Sequence, residues 1–139
     1  MRILIDSNIW ISFLIGKTLK ELQKLMNNPD FEIVVTNNLI SEIKETFERR
    51  HLEKYFKDEQ FTSFWDYLDK LILDITIDTI PQICRDEDDN YLLALADLTN
   101  CNFIITGDKD LLVLKQYKDT LIVRFRDFMT SYYHSKNIK

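Results

Sequence analysis

The sequence is poor in the residues that loosen, staple or interrupt a chain. Two Gly and two Pro among 139 residues leave no room for long flexible linkers or a Gly-rich phosphate-cradling loop. The two cysteines, Cys84 and Cys101, stand apart, with no CxxC pair and no histidine cluster beside them. That excludes a zinc ribbon and fits free thiols in a reducing compartment. Two isolated histidines, His51 and His134, cannot assemble a convincing Ser-His-Asp or Cys-His centre, nor a His-rich metal site. No apolar run approaches the ~20 residues that span a bilayer. Asp6 interrupts the first apolar stretch before a signal-peptide core can form. The expectation is a single cytoplasmic domain over residues 1–139, away from membranes.

What is present is a globular balance, 45% hydrophobic and 29% charged. The net charge of −5 argues against a general nucleic-acid coat protein. If four of the 23 acids are gathered at a metal, however, the rest are nearly balanced by the 18 basic residues. A local basic surface can then still hold a phosphate backbone.

The patterning alternates short apolar runs with amphipathic stretches. Ile3-Leu4-Ile5 is unbroken, as in a strand buried on both faces. A helix is expected over Ile9 to Ile15, capped by Ser7 or Asn8, and another over Lys17 to Asn27. A second strand, Phe31 to Thr36, precedes a helix from Leu39 to about Arg50, capped by Asn37 or Asn38. Lys54 to Leu73 is helical and rich in aromatics; it packs within the monomer or forms a homodimer surface. Ile75-Thr76-Ile77 reads as a third strand, Tyr91 to Leu98 as a buried helix, and Phe103 to Thr106 as a fourth strand. A helix from Asp108 to Tyr117, a fifth strand Leu121 to Val123 and a helix from Arg126 to His134 complete the pattern. Strands separated by helices imply a three-layer α/β/α domain with a mostly parallel central sheet of about five strands.

Carboxylates recur where strands end or helices begin. Asp6 ends the first strand; Glu42 lies one turn into the third helix, on the flank of its apolar stripe. Asp86, Asp88 and Asp89 crowd the start of the Tyr91 helix, and Asp108 and Asp110 follow the fourth strand. Each has an ordinary explanation as a helix cap, a dipole partner or a surface acid. Their joint placement is less ordinary, because parallel strands deliver their C-terminal ends to one edge of the sheet. Ionised carboxylates gathered there repel, and a divalent cation removes that penalty. An oxygen-only cluster suits Mg²⁺ or Mn²⁺ rather than zinc. A phosphotransfer domain would instead need a second Asp at position 8, where Asn8 stands, or a phospho-acceptor after the third strand, where Asp78 falls.

Two blocks are specific: Arg85-Asp86-Glu87-Asp88-Asp89-Asn90-Tyr91-Leu92-Leu93-Ala94-Leu95-Ala96 and Thr106-Gly107-Asp108-Lys109-Asp110-Leu111-Leu112. With Ile5-Asp6-Ser7-Asn8 and Glu42, the chain resembles the PIN-domain family. Within it, the pattern resembles the branch of prokaryotic toxin components of toxin–antitoxin systems, the VapC-like ribonucleases. The resemblance implies a metal-dependent endoribonuclease that leaves a 5′-phosphate and a 3′-hydroxyl. Asp6, Glu42, Asp89 and Asp108 match the four acids, with Asp6, Asp89 and Asp108 as ligands for Mg²⁺ or Mn²⁺. Asp86 and Asp88 compete with Asp89 for the third place, and Asp110 with Asp108 for the fourth. Asn8 and Thr106 match supporting polar positions. Arg49, Arg50, Lys54, Lys17 and Lys109 are candidates for holding the RNA backbone. The implied partners are an RNA substrate and a small cognate antitoxin protein. Two readings stay open beside the toxin: a PIN nuclease of RNA processing, and a non-catalytic RNA- or protein-binding PIN module.

Overall fold

Strand β1 (Arg2–Ile5) sends Ile3 and Ile5 to one side of a sheet and Leu4 to the other, and all three are fully buried. Its neighbours repeat the alternation. Ile33 opposes Val34 in β2 (Glu32–Val34), and Phe103 and Ile105 oppose Ile104 in β3 (Phe103–Ile105). Two apolar clusters result, one on each face, which is why these strands read as unbroken hydrophobic runs. The computed structural model describes residues 1–16, 19–55 and 58–133.

The sheet order is β2-β1-β3-β5-β4, with β4 (Gln116–Tyr117) and β5 (Thr120–Val123) forming a terminal hairpin. The β2/β1, β1/β3 and β3/β5 pairs are parallel; only β4/β5 is antiparallel. One face is covered by α1 (Ser7–Ile15), α2 (Leu19–Asn27), α3 (Asn37–Arg49), α4 (Asp58–Leu71) and α7 (Phe125–Phe128). The other carries α5 (Glu87–Leu98), α6 (Lys109–Leu112) and an extended segment from Leu73 to Ile77. The architecture is the expected α/β fold with a five-strand, mostly parallel sheet. Among the described residues no helix is long and apolar enough to cross a membrane.

Several boundaries differ from expectation for identifiable reasons. Helix α3 starts at Asn37 because the Thr36 hydroxyl accepts from the Leu39 amide at 3.3 Å, so Thr36 is the cap and Asn37 and Asn38 lie inside the helix. Helix α1 starts at Ser7, with Asp6 in the cap position, neither Ser7 nor Asn8. Helix α5 starts at Glu87, because Asp86 accepts from the Asp88 amide at 2.9 Å.

Ile75-Thr76-Ile77 is not a strand of the sheet. Leu73, Ile75 and Ile77 are half-buried and alternate with exposed residues. Apart from one bond from the Leu73 amide to the Val35 carbonyl, however, this stretch makes no ladder. The period-2 pattern is real and reports packing on a face, not pairing. Asp78 is therefore exposed beside no strand end. The strand that takes the vacant place in the count is β4, inside the stretch expected as helix. Helix α6 stops at Leu112, and Lys115 and Lys118 adopt φ of 63° and 50°, which a continuing helix forbids.

The aromatic stretch divides into a 3₁₀ turn, Leu52–Tyr55, and α4. Phe64 and Trp65 of α4 pack on Trp10 and Phe47, each with centroids 5.9 Å apart, so these rings serve the core. After β5, the helix begins at Phe125 and runs into a π-helical turn, Met129–Tyr133; His134 lies outside the described residues. Cys84 and Cys101 are free thiols.

Candidate active site

Because β1, β2, β3 and β5 are parallel, their C-terminal ends form one edge. Register sets Ile5 beside Ile105, so Asp6 and Thr106 are neighbours just beyond. The Asp6 carbonyl accepts from the Ile9 and Trp10 amides at 3.0 and 3.2 Å and starts α1, while its side chain makes no cap bond. The carboxylate is thus released from capping and takes a 2.8 Å bond from the Thr106 hydroxyl on Oδ2. Ser7 approaches Oδ1 at 3.4 Å.

Thr106 is fully buried and does two things at once. While donating to Asp6, its Oγ1 accepts from the Asp108 amide at 3.0 Å. One hydroxyl therefore sets the spacing between the ends of β1 and β3. Asp108 in turn caps α6, accepting from the Asp110 amide at 2.9 Å. Its capping and site-forming positions are one and the same.

Asp89 enters from the first turn of α5. It is only 5% exposed, and its Oδ2 has no hydrogen-bond partner among the described residues. Asp89, Asp108 and Asp110 each bring a carboxylate oxygen within 4.8 Å of the others. Burial, then the contact with Asp108 and the charges of Asp108, Asp86 and Asp6, raise the Asp89 carboxyl to about 7. Burial also raises Asp6; Thr106 and the Asn8 backbone oppose it, and the Asp108 charge adds to it. Glu42, half-buried on α3, is raised to about 7 by burial and then by the Asp88 charge, against a lowering contact from Ser7. Asp6 and Asp86 also act on Glu42, so α3, β1 and α5 face a common acidic space.

The structure thus brings Asp6, Glu42, Asp86, Asp88, Asp89, Asp108 and Asp110 to one edge. Asp86 is the α5 cap, and the exposed Asp88 interacts chiefly with Asp86, Glu87, Glu45 and Glu42. The close oxygen group contains Asp110 and lacks Asp6, which stands beside it on Thr106. Asp110 is ion-paired to Arg85, whose Nη2 lies 2.9 and 3.0 Å from its two oxygens. Asn8 is exposed in the first turn of α1.

The basic candidates are dispersed. Lys109 opens α6 next to Asp108, whereas Arg49 and Arg50 end α3, about 10 Å along the helix axis beyond Glu42. Lys54 is in the 3₁₀ turn, and Lys17 lies outside the described residues.

Sequence reasoning missed three residues. Ser7 was read as a cap and instead bridges Asp6 and Glu42. Arg85 received no role. Asn90 is 1% exposed; its Oδ1 accepts from the Ile83 and Cys84 amides at 3.1 and 2.7 Å, and its Nδ2 donates to the Cys84 carbonyl at 3.0 Å. That clamp fixes the loop carrying Arg85 against α5. Its only sequence signal was an amide beside three acids. Burial, then Asp89 and Asp110, push the Cys84 thiol up, so it is unsuited to act as a nucleophile.

The donor set is all oxygen, and a buried carboxylate oxygen without a donor lies within it. That combination fits a hard divalent cation, which satisfies the orphaned oxygen and relieves the repulsion that raises Asp89. A family model described as PIN domain matches residues 2–110. The chain belongs to the PIN-domain family, whose members are typically nucleases. No curated protein and no solved structure matches it.

Proposed function

We propose that the protein is a metal-dependent endoribonuclease that hydrolyses RNA phosphodiester bonds. The observation that carries this reading is the partnerless Oδ2 of Asp89, buried against Asp108 and Asp110 at the carboxyl edge of the sheet. Asp6, Asp89 and Asp108 would hold Mg²⁺ or Mn²⁺, with Asp110 a competitor for the last place once it leaves Arg85. Such an ion, when bound, lowers the pKa of a water and stabilises charge on phosphoryl oxygens.

The chain's own residues supply the rest. Thr106 orients Asp6 and ties it to Asp108. Glu42, with its carboxyl raised to about 7, is suited to take a proton from an attacking water near neutral pH. Lys109 stands nearest the acids to meet a backbone phosphate, and Arg49, Arg50 and Lys54 would meet the strand farther out.

Single-stranded RNA should be cleaved with Mn²⁺ or Mg²⁺ and left intact in EDTA. Cleavage by Asp6→Asn or Asp89→Asn at the wild-type rate would refute the assignment. On the resemblance of the two motif blocks, we assign the nuclease to the toxin role of a toxin–antitoxin pair, restrained by a small cognate antitoxin. Growth arrest on expression, relieved by an adjacent short reading frame, tests that role.

A further inference from the structure

A cavity of about 350 Å³ lies between the start of α3, the first turns of α5 and the extended segment after Leu73, lined by residues including Thr36, Asn38, Asp74, Ile75, Ile80 and Tyr91. Its volume is at the lower end of the ~300–1,000 Å³ range of small-molecule sites. It suits one nucleoside and is too small for a partner's helix.

Its position follows from helical spacing. Asn38 precedes Glu42 by one turn on the same face of α3, and Tyr91 follows Asp88 by one turn on α5. Helix α3 thus carries both Glu42 and, one turn away, a wall of the cavity. The Tyr91 hydroxyl lies 3.1 Å from Thr36 Oγ1, which ties α5 to the start of α3 and fixes the phenol as part of that wall.

The chemistry of the lining selects the occupant. The Asp74 carboxylate in the lining disfavours a phosphate group inside the cavity. Isoleucines and a tyrosine offer apolar and aromatic surface of the kind on which planar bases pack. The Asn38 amide both donates and accepts, and the Asp74 carboxylate only accepts. The backbone of residues 74–82 makes no backbone–backbone hydrogen bond among the described residues, so the extended wall also presents unclaimed peptide groups. The lining fits a neutral, planar ligand with two adjacent donors. Among the RNA bases, guanine alone presents adjacent N–H donors, N1–H and the 2-amino group, to a carboxylate.

We infer that this cavity is a specificity subsite taking a guanine base of the RNA strand next to the cleaved bond, with Asp74 reading its N1–H and 2-amino edge. This rests on the ribonuclease reading above and extends it to a sequence preference.

The test uses the full chain with Mn²⁺ and three synthetic RNAs that are identical except for one position holding guanosine, inosine or adenosine. The wild type should cut beside guanosine roughly tenfold faster than beside adenosine, the scale of one bidentate base contact, with inosine between them. Asp74→Asn should bring the guanosine-to-adenosine ratio close to one. The melting temperature of that variant should stay within about 2 °C of wild type, since Asp74 is exposed. Equal cutting of the three RNAs by the wild type, or a guanosine preference retained by Asp74→Asn, overturns the subsite. If no RNA is cut, the ribonuclease reading falls, and the subsite is judged by calorimetry without metal. Tighter binding of guanosine than of inosine or adenosine, lost in Asp74→Asn, supports it; equal binding of the three nucleosides overturns it.

Discussion

Replacing Asp89 by Asn should stabilise the metal-free protein while abolishing cleavage. The Asp89 carboxyl is raised from 3.8 to about 7 in the fold, by burial and by Asp108. A group whose folded pKa is raised favours the fold when protonated. Its cost therefore grows as pH rises from about 4, where the unfolded chain loses the proton, to about 7, where the folded chain also does. A shift of roughly three units corresponds to about 4 kcal/mol as a ceiling at 1.36 kcal/mol per unit. Solvent reaching the cluster from its open side, where Asp110 is only half-buried, reduces this to about 1–2 kcal/mol.

Asn keeps the shape, carries no charge and can donate to Asp108. At pH 8 in EDTA, Asp89→Asn should melt roughly 3–6 °C above the wild type for a chain of this length. At pH 5 the gap should shrink to well under half, because only the first part of the interval between the unfolded and folded values, 3.8 and about 7, has been crossed. Thermal melts at the two pH values, with and without Mn²⁺, are the assay. The metal should raise the wild-type melting temperature and leave the variant almost unmoved. A variant no more stable than wild type at pH 8, or equally stabilised at pH 5, would refute the electrostatic account of this site.

Thr106→Ala should remove the links to both Asp6 and Asp108, costing about 1–3 kcal/mol in chemical denaturation. It should also lower RNA cleavage more than tenfold, and Thr106→Ser should restore most of both. Asn90→Ala strands the Ile83 and Cys84 amides, and hydrogen exchange at these two positions should accelerate by an order of magnitude or more. Arg85→Ala frees Asp110 and removes a competing cation, so Mn²⁺ should bind several-fold more tightly by calorimetry. Unchanged or weaker Mn²⁺ binding by that variant would mean that Asp110 and Arg85 do not contend with the metal.

The sequence by itself determined the layers and which carboxylates arrive at one edge of the sheet. Unbroken triplets such as Ile3-Leu4-Ile5 and Phe103-Ile104-Ile105 can be satisfied only by a sheet covered on both faces. Parallel strands then oblige Asp6 and Asp108 to share an edge. These are local patterns with one low-energy outcome. Tertiary structure decided what depends on which partner is within reach. Ile75 to Ile77 has the period of a strand, but no neighbouring strand offers it a ladder. Gln116 and Tyr117 became a strand because Thr120 and Leu121 lie opposite them. Whether a carboxylate caps a helix or stands free is settled by a competing donor. Asp6 is free of its cap because Thr106, a hundred residues away in sequence, takes its oxygen. Asp108 is held to its cap by the amide of Asp110. The buried clamp of Asn90 and the pairing of Arg85 with Asp110 are equally invisible in a linear reading, since neither has any periodicity. Patterning specifies faces and edges; only the folded chain specifies which polar atoms meet there.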